Sequence, residues 1–402
     1  MPNLSPFKLH RPVAQAIISS INEILENHRP TDKVLEHCFK NNPKLGKRDR
    51  GFIAGQVYDI VRHYILITYC LENKRNPWLV LGAWMKLKEF EVPDWPEFKN
   101  LDIDQIKRFY KDSHKTPAIR YSIPKELNEF GKSQLGDRWY TEMRAMHKPA
   151  PMILRINSIK ANQDQVEAFL NENMIPYHLE AKGGVQAIVV EKHVNLFTSP
   201  IYQNGWVEIQ DYASQMVGAF VNPTAGSRVI DACAGGGGKS LQMGAMMGNK
   251  GRILSLDIDD FKLKNLKKRA SRAGADIIET RWIENNKVIK RLESQADKLL
   301  LDVPCSGSGV LRRNPDAKYR MTNTYIKDLM LKQAQILDSF CKMVKSGGEL
   351  IYATCSLFPD ENENQVKKFL EKHPEFSFIE ETHLWPSEFG YDGFYMARMK
   401  KS

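Results

Sequence analysis

Cysteine is scarce in this chain of 402 residues and never falls at ligand spacing. Cys38, Cys70, Cys233, Cys305, Cys341 and Cys355 form no CxxC pair, and no histidine cluster accompanies them. That scatter argues against a disulfide framework and a zinc site, so reduced thiols, no metal and a cytoplasmic location are expected. Long apolar runs are missing too. The longest, YILITYCL at Tyr64–Leu71, is far short of the ~20 residues that span a bilayer and suits a buried helix. The opening MPNLSPFKLHRPVAQA has no apolar signal core with a small-residue cleavage site, so neither export nor a membrane is expected. Acidic residues are in deficit, 48 Asp+Glu against 58 Lys+Arg, for a net charge of +10. Such a surplus favours a polyanionic partner, and RNA or another nucleic acid is the natural one.

The chain is too long for one core and changes pattern twice. Residues 1–148 read as helical. Val13, Ile17, Ile21 and Ile24 recur at helical spacing, and KRDRGFIAGQVYDIVRHYILITYCLE (Lys47–Glu72) is apolar on more than one face, as the central helix of a bundle would be. Ser122 is placed to cap a helix with Pro124 in its first turn. Residues 149–205 alternate instead: MILRIN and AIVVE read as strands, QDQVEAFLNE as a helix and Gly183-Gly184 as a turn, a small α/β unit of a kind often used to bind nucleic acid. From about residue 206 the pattern is strand, glycine loop, helix, strand, acid.

That last pattern carries the chemistry. SRVIDACAGGGGKS ends an apolar run in Asp231 and continues through Cys233, Ala234, Gly235, Gly236, Gly237 and Gly238 to Lys239; GRILSLDIDD ends the next apolar run in Asp257. Glycines admit close backbone approach, a helix N-terminus favours electron-rich groups, and an acid at the next strand end can accept from ribose hydroxyls. A nucleoside-containing cofactor at the carboxyl ends of a parallel sheet is implied. Two classes compete. CAGGGGKS approaches the phosphate-binding GxxxxGK[ST] loop, with Cys233 where the first glycine belongs, and KLLLDVP resembles the magnesium-holding strand of such ATPases. An ATPase has no use for Asp257 or for two later cysteines; a methyltransferase that takes S-adenosylmethionine uses all of them.

Those cysteines are Cys305, in DVPCSGSG, and Cys355, in YATCS, each just past an apolar strand. Either alone reads as an inert buried thiol. As a pair at neighbouring strand ends they face one crevice. Carbon 5 of cytosine is a poor nucleophile, but a thiolate added to carbon 6 makes it enamine-like and able to take a sulfonium methyl. A base must then remove the carbon-5 hydrogen, and an acid such as Asp302 can hydrogen-bond the amino/N3 edge.

DACAGGGGKS, LLLDVPCSGSGVLRRNPD, YATCS with PDENE, and the terminal DGFYMARM together resemble the Sun/Fmu (RsmB-type) RNA cytosine-5 methyltransferases, over essentially the whole chain. The resemblance implies a Rossmann-like methyltransferase domain at 206–402, preceded by an all-α NusB-like domain at 1–148 and a small RRM-like α/β domain at 149–205. It implies that Cys355 is the nucleophile, that Cys305 assists release of the product, and that Asp302 contacts cytosine and cofactor. Asp257 would hold the ribose and Cys233–Lys239 the methionine part of S-adenosylmethionine, while Arg312 and Arg313 would bind RNA near the target. The family's glycine loop carries a proline where this chain has Gly236, and its Gly-Asp pair for the adenine side is missing, leaving Glu284 or Asn285 as candidates. The basic run FKLKNLKKRASR (Phe261–Arg272) reads as a solvated helix face ahead of an RNA track. Small-subunit (16S) ribosomal RNA is the expected substrate, with transfer RNA as the alternative. A P-loop-like ATPase and a non-catalytic RNA-binding assembly factor are the readings from other classes.

Overall fold

The computed structural model describes residues 8–192 and 194–402, so the part of the leader reading that rests on Met1–Phe7 lies outside the described residues. The chain divides into two compact units. One is Met1–Lys148 with Leu311–Tyr325; the other is Pro149–Val310 with Ile326–Ser402.

The first unit is helical. In Arg11–Glu26 the side chains of Val13, Ile17, Ile21 and Ile24 are buried, as their spacing predicts. Each such burial is worth about 1.5–3 kcal/mol relative to exposure. Lys47–Cys70 packs against Arg11–Glu26, Pro77–Leu87 and Ile103–Asp112, which explains its apolar residues on several faces. Ser122 differs from expectation. It sits at φ +50° and is fully buried, and its Oγ accepts from the Leu66 N–H at 3.0 Å, while the next helix, Lys125–Leu135, starts from Pro124 without a side-chain cap. Its hydroxyl ties the turn before that helix to Lys47–Cys70 instead of beginning a helix.

Leu311–Tyr325 belongs to this helical unit although it is remote in sequence. Lys318 Nζ donates to the Arg62 carbonyl at 2.6 Å and Tyr319 Oη to the Val61 carbonyl at 2.8 Å. Thr31 Oγ1 donates to Asp316 Oδ1 at 2.9 Å.

The second unit holds two sheets. The smaller contains β1 (Met152–Ile156), β2 (Tyr177–Lys182), β3 (Val185–Val190) and β4 (Val207–Ile209) in the order β2-β3-β1-β4, all antiparallel. Its last strand lies past residue 205, because Val207 pairs with Ile156, so the expected boundary at 205/206 cuts through a ladder.

The larger sheet contains β5 (Arg228–Asp231), β6 (Arg252–Asp257), β7 (Ile278–Trp282), β8 (Ala296–Asp302), β9 (Val344–Thr354), β10 (Phe376–Leu384) and β11 (Phe394–Lys401). The order is β10-β11-β9-β8-β5-β6-β7, with β5 to β9 parallel and β11 antiparallel to both neighbours. This is a Rossmann-like sheet. Helices on both faces require central strands to be apolar throughout, and Leu299, Leu300 and Leu301 are all fully buried, Leu300 in one core and its two neighbours in the other. The winding reverses between β5 and β8, and at such a switch point a crevice opens at the carboxyl ends of the strands.

Candidate active site

Every strand that borders the switch point ends in a group with chemistry. β5 ends in Asp231, 1% exposed, where burial raises its carboxyl to about 7 against the pull of the Ser240 hydroxyl, which donates to Oδ2 at 2.6 Å. Its Oδ1 is buried with no hydrogen-bond partner among the described residues. The glycine loop then turns back over the sheet. Gly237 has φ +80°, and a Cβ there would lie 2.3 Å from Leu266 Cγ, so the residue must be glycine. Gly235 donates its N–H to Asp257 Oδ2 at 2.8 Å, and Asp259 N–H meets Oδ1 at 2.9 Å. Each oxygen of Asp257 keeps a lone pair for a ribose hydroxyl. Above Gly235 there is open space, and beside Asp257 the apolar Ile258 is 63% exposed and Trp282 46%. An acid for hydroxyls, an open glycine cradle and an apolar wall fit the ribose, methionine part and adenine of S-adenosylmethionine.

Next along the sheet, Lys239 Nζ donates to Asp302 Oδ2 at 2.5 Å, with side chains 12% and 25% exposed. Burial works against the ammonium, yet the Asp302 charge and hydrogen bond leave it above its ordinary value. Cys233 is held protonated by burial and then by the carboxylates of Asp302, Asp231 and Asp257 around it.

The two later cysteines meet. Cys305 Sγ lies 3.3 Å from Cys355 Sγ, and both thiols are free. Cys305 is pushed well above its ordinary value, first by that sulfur contact and then by burial.

A polar network beneath the cysteine loops fixes this meeting. Glu361 is fully buried; its Oε1 accepts from Ser306 N–H at 2.8 Å and Gln333 Nε2 at 2.9 Å, and its Oε2 from Ser356 Oγ at 2.5 Å. One carboxylate thus holds the residue after Cys305 and the residue after Cys355. Gly309 completes the clamp by donating to the Cys355 carbonyl at 2.8 Å, and its carbonyl accepts from Gly393 N–H at 2.7 Å. A Cβ at Gly309 would lie 2.4 Å from the Gly393 oxygen. Glu361→Ala would leave three buried donors unsatisfied and should cost about 2–4 kcal/mol. Glu361→Gln keeps one acceptor oxygen and should cost about 1 kcal/mol. Thermal unfolding checks the ranking, and equal losses in the two variants would remove Glu361 from the role of clamp.

The expected cofactor and cysteine residues thus gather at one sheet edge. Arg312 and Arg313 belong to the helical unit; Arg312 is 5% exposed and its Nη2 donates to the Ala145 carbonyl at 3.0 Å. That buried guanidinium supports the fold of its own unit, and Arg313 is half-buried. Glu284 is exposed, and Asn285 caps the helix Asn286–Lys290 by accepting from Lys287 N–H, so Ile258 and Trp282 are better placed for an adenine than either. In the basic run Lys262, Lys264, Lys267 and Lys268 are exposed, as a solvated face requires, but Arg269 and Arg272 are half-buried. Arg269 Nη2 lies 2.8 Å from the buried carboxylate of Glu208, Arg272 pairs with the same carboxylate, and Arg269 Nη1 donates to the Gly236 carbonyl. These arginines pin β4 and the glycine loop to one helix. No sequence pattern marked Arg269 or Glu361; a basic run and an acidic loop look solvated until tertiary structure encloses them.

The family model described as 16S rRNA methyltransferase RsmB/F matches residues 219–400. A ribosomal RNA small subunit methyltransferase B of Proteus mirabilis is 30% identical over 96% of this chain and 94% of its own. The chain belongs to the RsmB/F family. An RsmB relative from Bacillus subtilis, a probable ribosomal RNA small subunit methyltransferase B, is 28% identical over 97% of this chain and 98% of its own. The crystal structure of PH0851 superposes with a TM-score of 0.82 at 25% identity, covering 99% of this chain and all of that one. The cofactor of the family, and of this chain, is S-adenosylmethionine. Among the described residues no helix is long and apolar enough to cross a membrane.

Proposed function

We propose that this protein methylates carbon 5 of a cytosine in small-subunit ribosomal RNA, through a covalent bond between Cys355 and carbon 6 of the base. The observation that carries the reading is the 3.3 Å approach of Cys305 and Cys355 beside the Lys239–Asp302 pair. The names of the relatives, which are small-subunit ribosomal RNA methyltransferases, support the substrate class. Bound S-adenosylmethionine supplies an electrophilic sulfonium methyl.

The chain's own groups do the rest. Cys305 holds a proton that it can donate to the Cys355 sulfur, and an S–H donor favours thiolate character in its acceptor. The thiolate bonds to carbon 6, and the ring's electrons then reach carbon 5 and N3. Asp302 accepts from the cytosine amino group, while the Lys239 ammonium on its other side balances the negative charge that develops. After methylation a solvent base takes the carbon-5 proton, the electrons of that C–H bond re-form the C5–C6 double bond, and Cys355 leaves carbon 6 as a thiolate that accepts the Cys305 S–H. A base within a stack must be splayed out before a thiol can reach carbon 6.

Labelled S-adenosylmethionine should transfer its methyl to RNA of the small subunit, and digestion should yield 5-methylcytidine. Naked RNA, ribosomal particles and transfer RNA are assayed side by side. Label in another nucleoside, or none in any RNA, would sink the reading.

A further inference from the structure

The helical unit contains a cavity of about 470 Å³ far in sequence from the cysteines, within the size range of small-ligand sites. Its floor is aromatic. His63 stacks on the buried Trp84 at 4.7 Å between centroids, His147 meets His63 edge-on at 4.3 Å, and Tyr121 lies 5.5 Å from His147. His63 Nδ1 faces the Asp59 carbonyl at 2.8 Å, so the ring proton belongs there and Nε2 is an acceptor. Burial lowers His63 to about 3 and lowers His147 further, so both rings are neutral.

Its walls are cationic. Lys88, Arg120, Arg144 and Lys148 all line it, and no Asp or Glu does. Lys88 Nζ lies 4.7 Å from the Trp84 ring and the Arg120 guanidinium 4.7 Å from the Tyr110 ring. Arg120 Nη1 and His147 Nε2 are buried with no hydrogen-bond partner among the described residues. A buried donor without an acceptor is costly, and four like charges around one hollow repel each other. An anion relieves both. The rings add faces on which a base can stack, at roughly 1–3 kcal/mol per base in single-strand binders.

We propose that this cavity binds one phosphate-bearing nucleotide, its base among the rings and its phosphate against Arg120, Arg144 and Lys88. The nucleotide comes either from a single-stranded segment of RNA or from a free nucleoside monophosphate. The site is separate from the cofactor cradle, and its occupancy does not depend on which base is methylated.

Calorimetry on the full chain tests it with four probes: inorganic phosphate, AMP, CMP and a single-stranded RNA octamer, at two salt concentrations. Arg144 and Lys88 are exposed, so Arg144→Glu and Lys88→Glu are chosen to spare the fold. Binding of S-adenosylmethionine, unchanged in both, confirms this. The expected result is a loss of tenfold or more in affinity for AMP, CMP or the octamer, with a salt dependence for the octamer that is shallower by about 0.7 for each phosphate no longer neutralised. Octamer binding that weakens while the monophosphates fail to bind assigns the site to RNA, and the reverse assigns it to a free nucleotide. Inorganic phosphate binding as tightly as AMP overturns the stacking of a base. No binding by any probe, or equal binding by wild type and both variants, overturns the site.

Discussion

Cys355→Ala is expected to reduce methyl transfer by at least about 10³-fold, the scale on which loss of a covalent nucleophile falls, and to form no stable complex with RNA. Cys305→Ala should behave differently. With S-adenosylmethionine present it should accumulate a protein–RNA complex that survives denaturing electrophoresis, because the bond to carbon 6 forms and is not released. The contrast rests on the roles that the family resemblance gives the two thiols, and the 3.3 Å between the sulfurs lets both reach one base. A thiol raised well above its ordinary value, as Cys305 is, is the poorer nucleophile near neutrality. The double variant, with neither thiol, should form no adduct. If Cys305→Ala lost transfer without trapping RNA while Cys355→Ala trapped it, the two roles would be exchanged.

The parallel strands made the cofactor edge readable. A strand buried on both faces is a mostly apolar run, so the acid that closes each run marks its end: Asp231, Asp257 and Asp302. Cys355 directly follows the last residue of β9, Thr354, and was found by the same rule. What stayed hidden depends on partners far along the chain. Glu361 stands in PDENE, an acidic stretch that reads as a solvated loop, yet its carboxylate is fully buried among donors from residues 306, 333 and 356. Arg312, which the family resemblance gives to RNA, is buried and donates to the Ala145 carbonyl, a contact no local pattern shows. β4 spans only Val207–Ile209, too short for alternation to reveal which sheet it joins. Charge and short strands are ambiguous locally because water and a buried partner satisfy the same groups.

The role of Asp302 can be separated from its support of Lys239. Asp302→Asn should lower turnover about 10²–10⁴-fold, the range for a group that handles protons or developing charge at the reacting base. It should also destabilise the fold by about 1–3 kcal/mol, because Lys239 is only 12% exposed and would lose its carboxylate. The ammonium is held above 10.5 in the fold, so its stabilising contribution is fully present below pH 10.5 and is lost only as pH rises through the higher folded value. Melts at neutral pH therefore compare the variants directly. Asp302→Asn combined with Lys239→Met removes the stranded charge and should recover most of the stability without recovering turnover. Stability and turnover returning together would make Asp302 a scaffold for the lysine, and the hydrogen bond to cytosine would have to come from another residue.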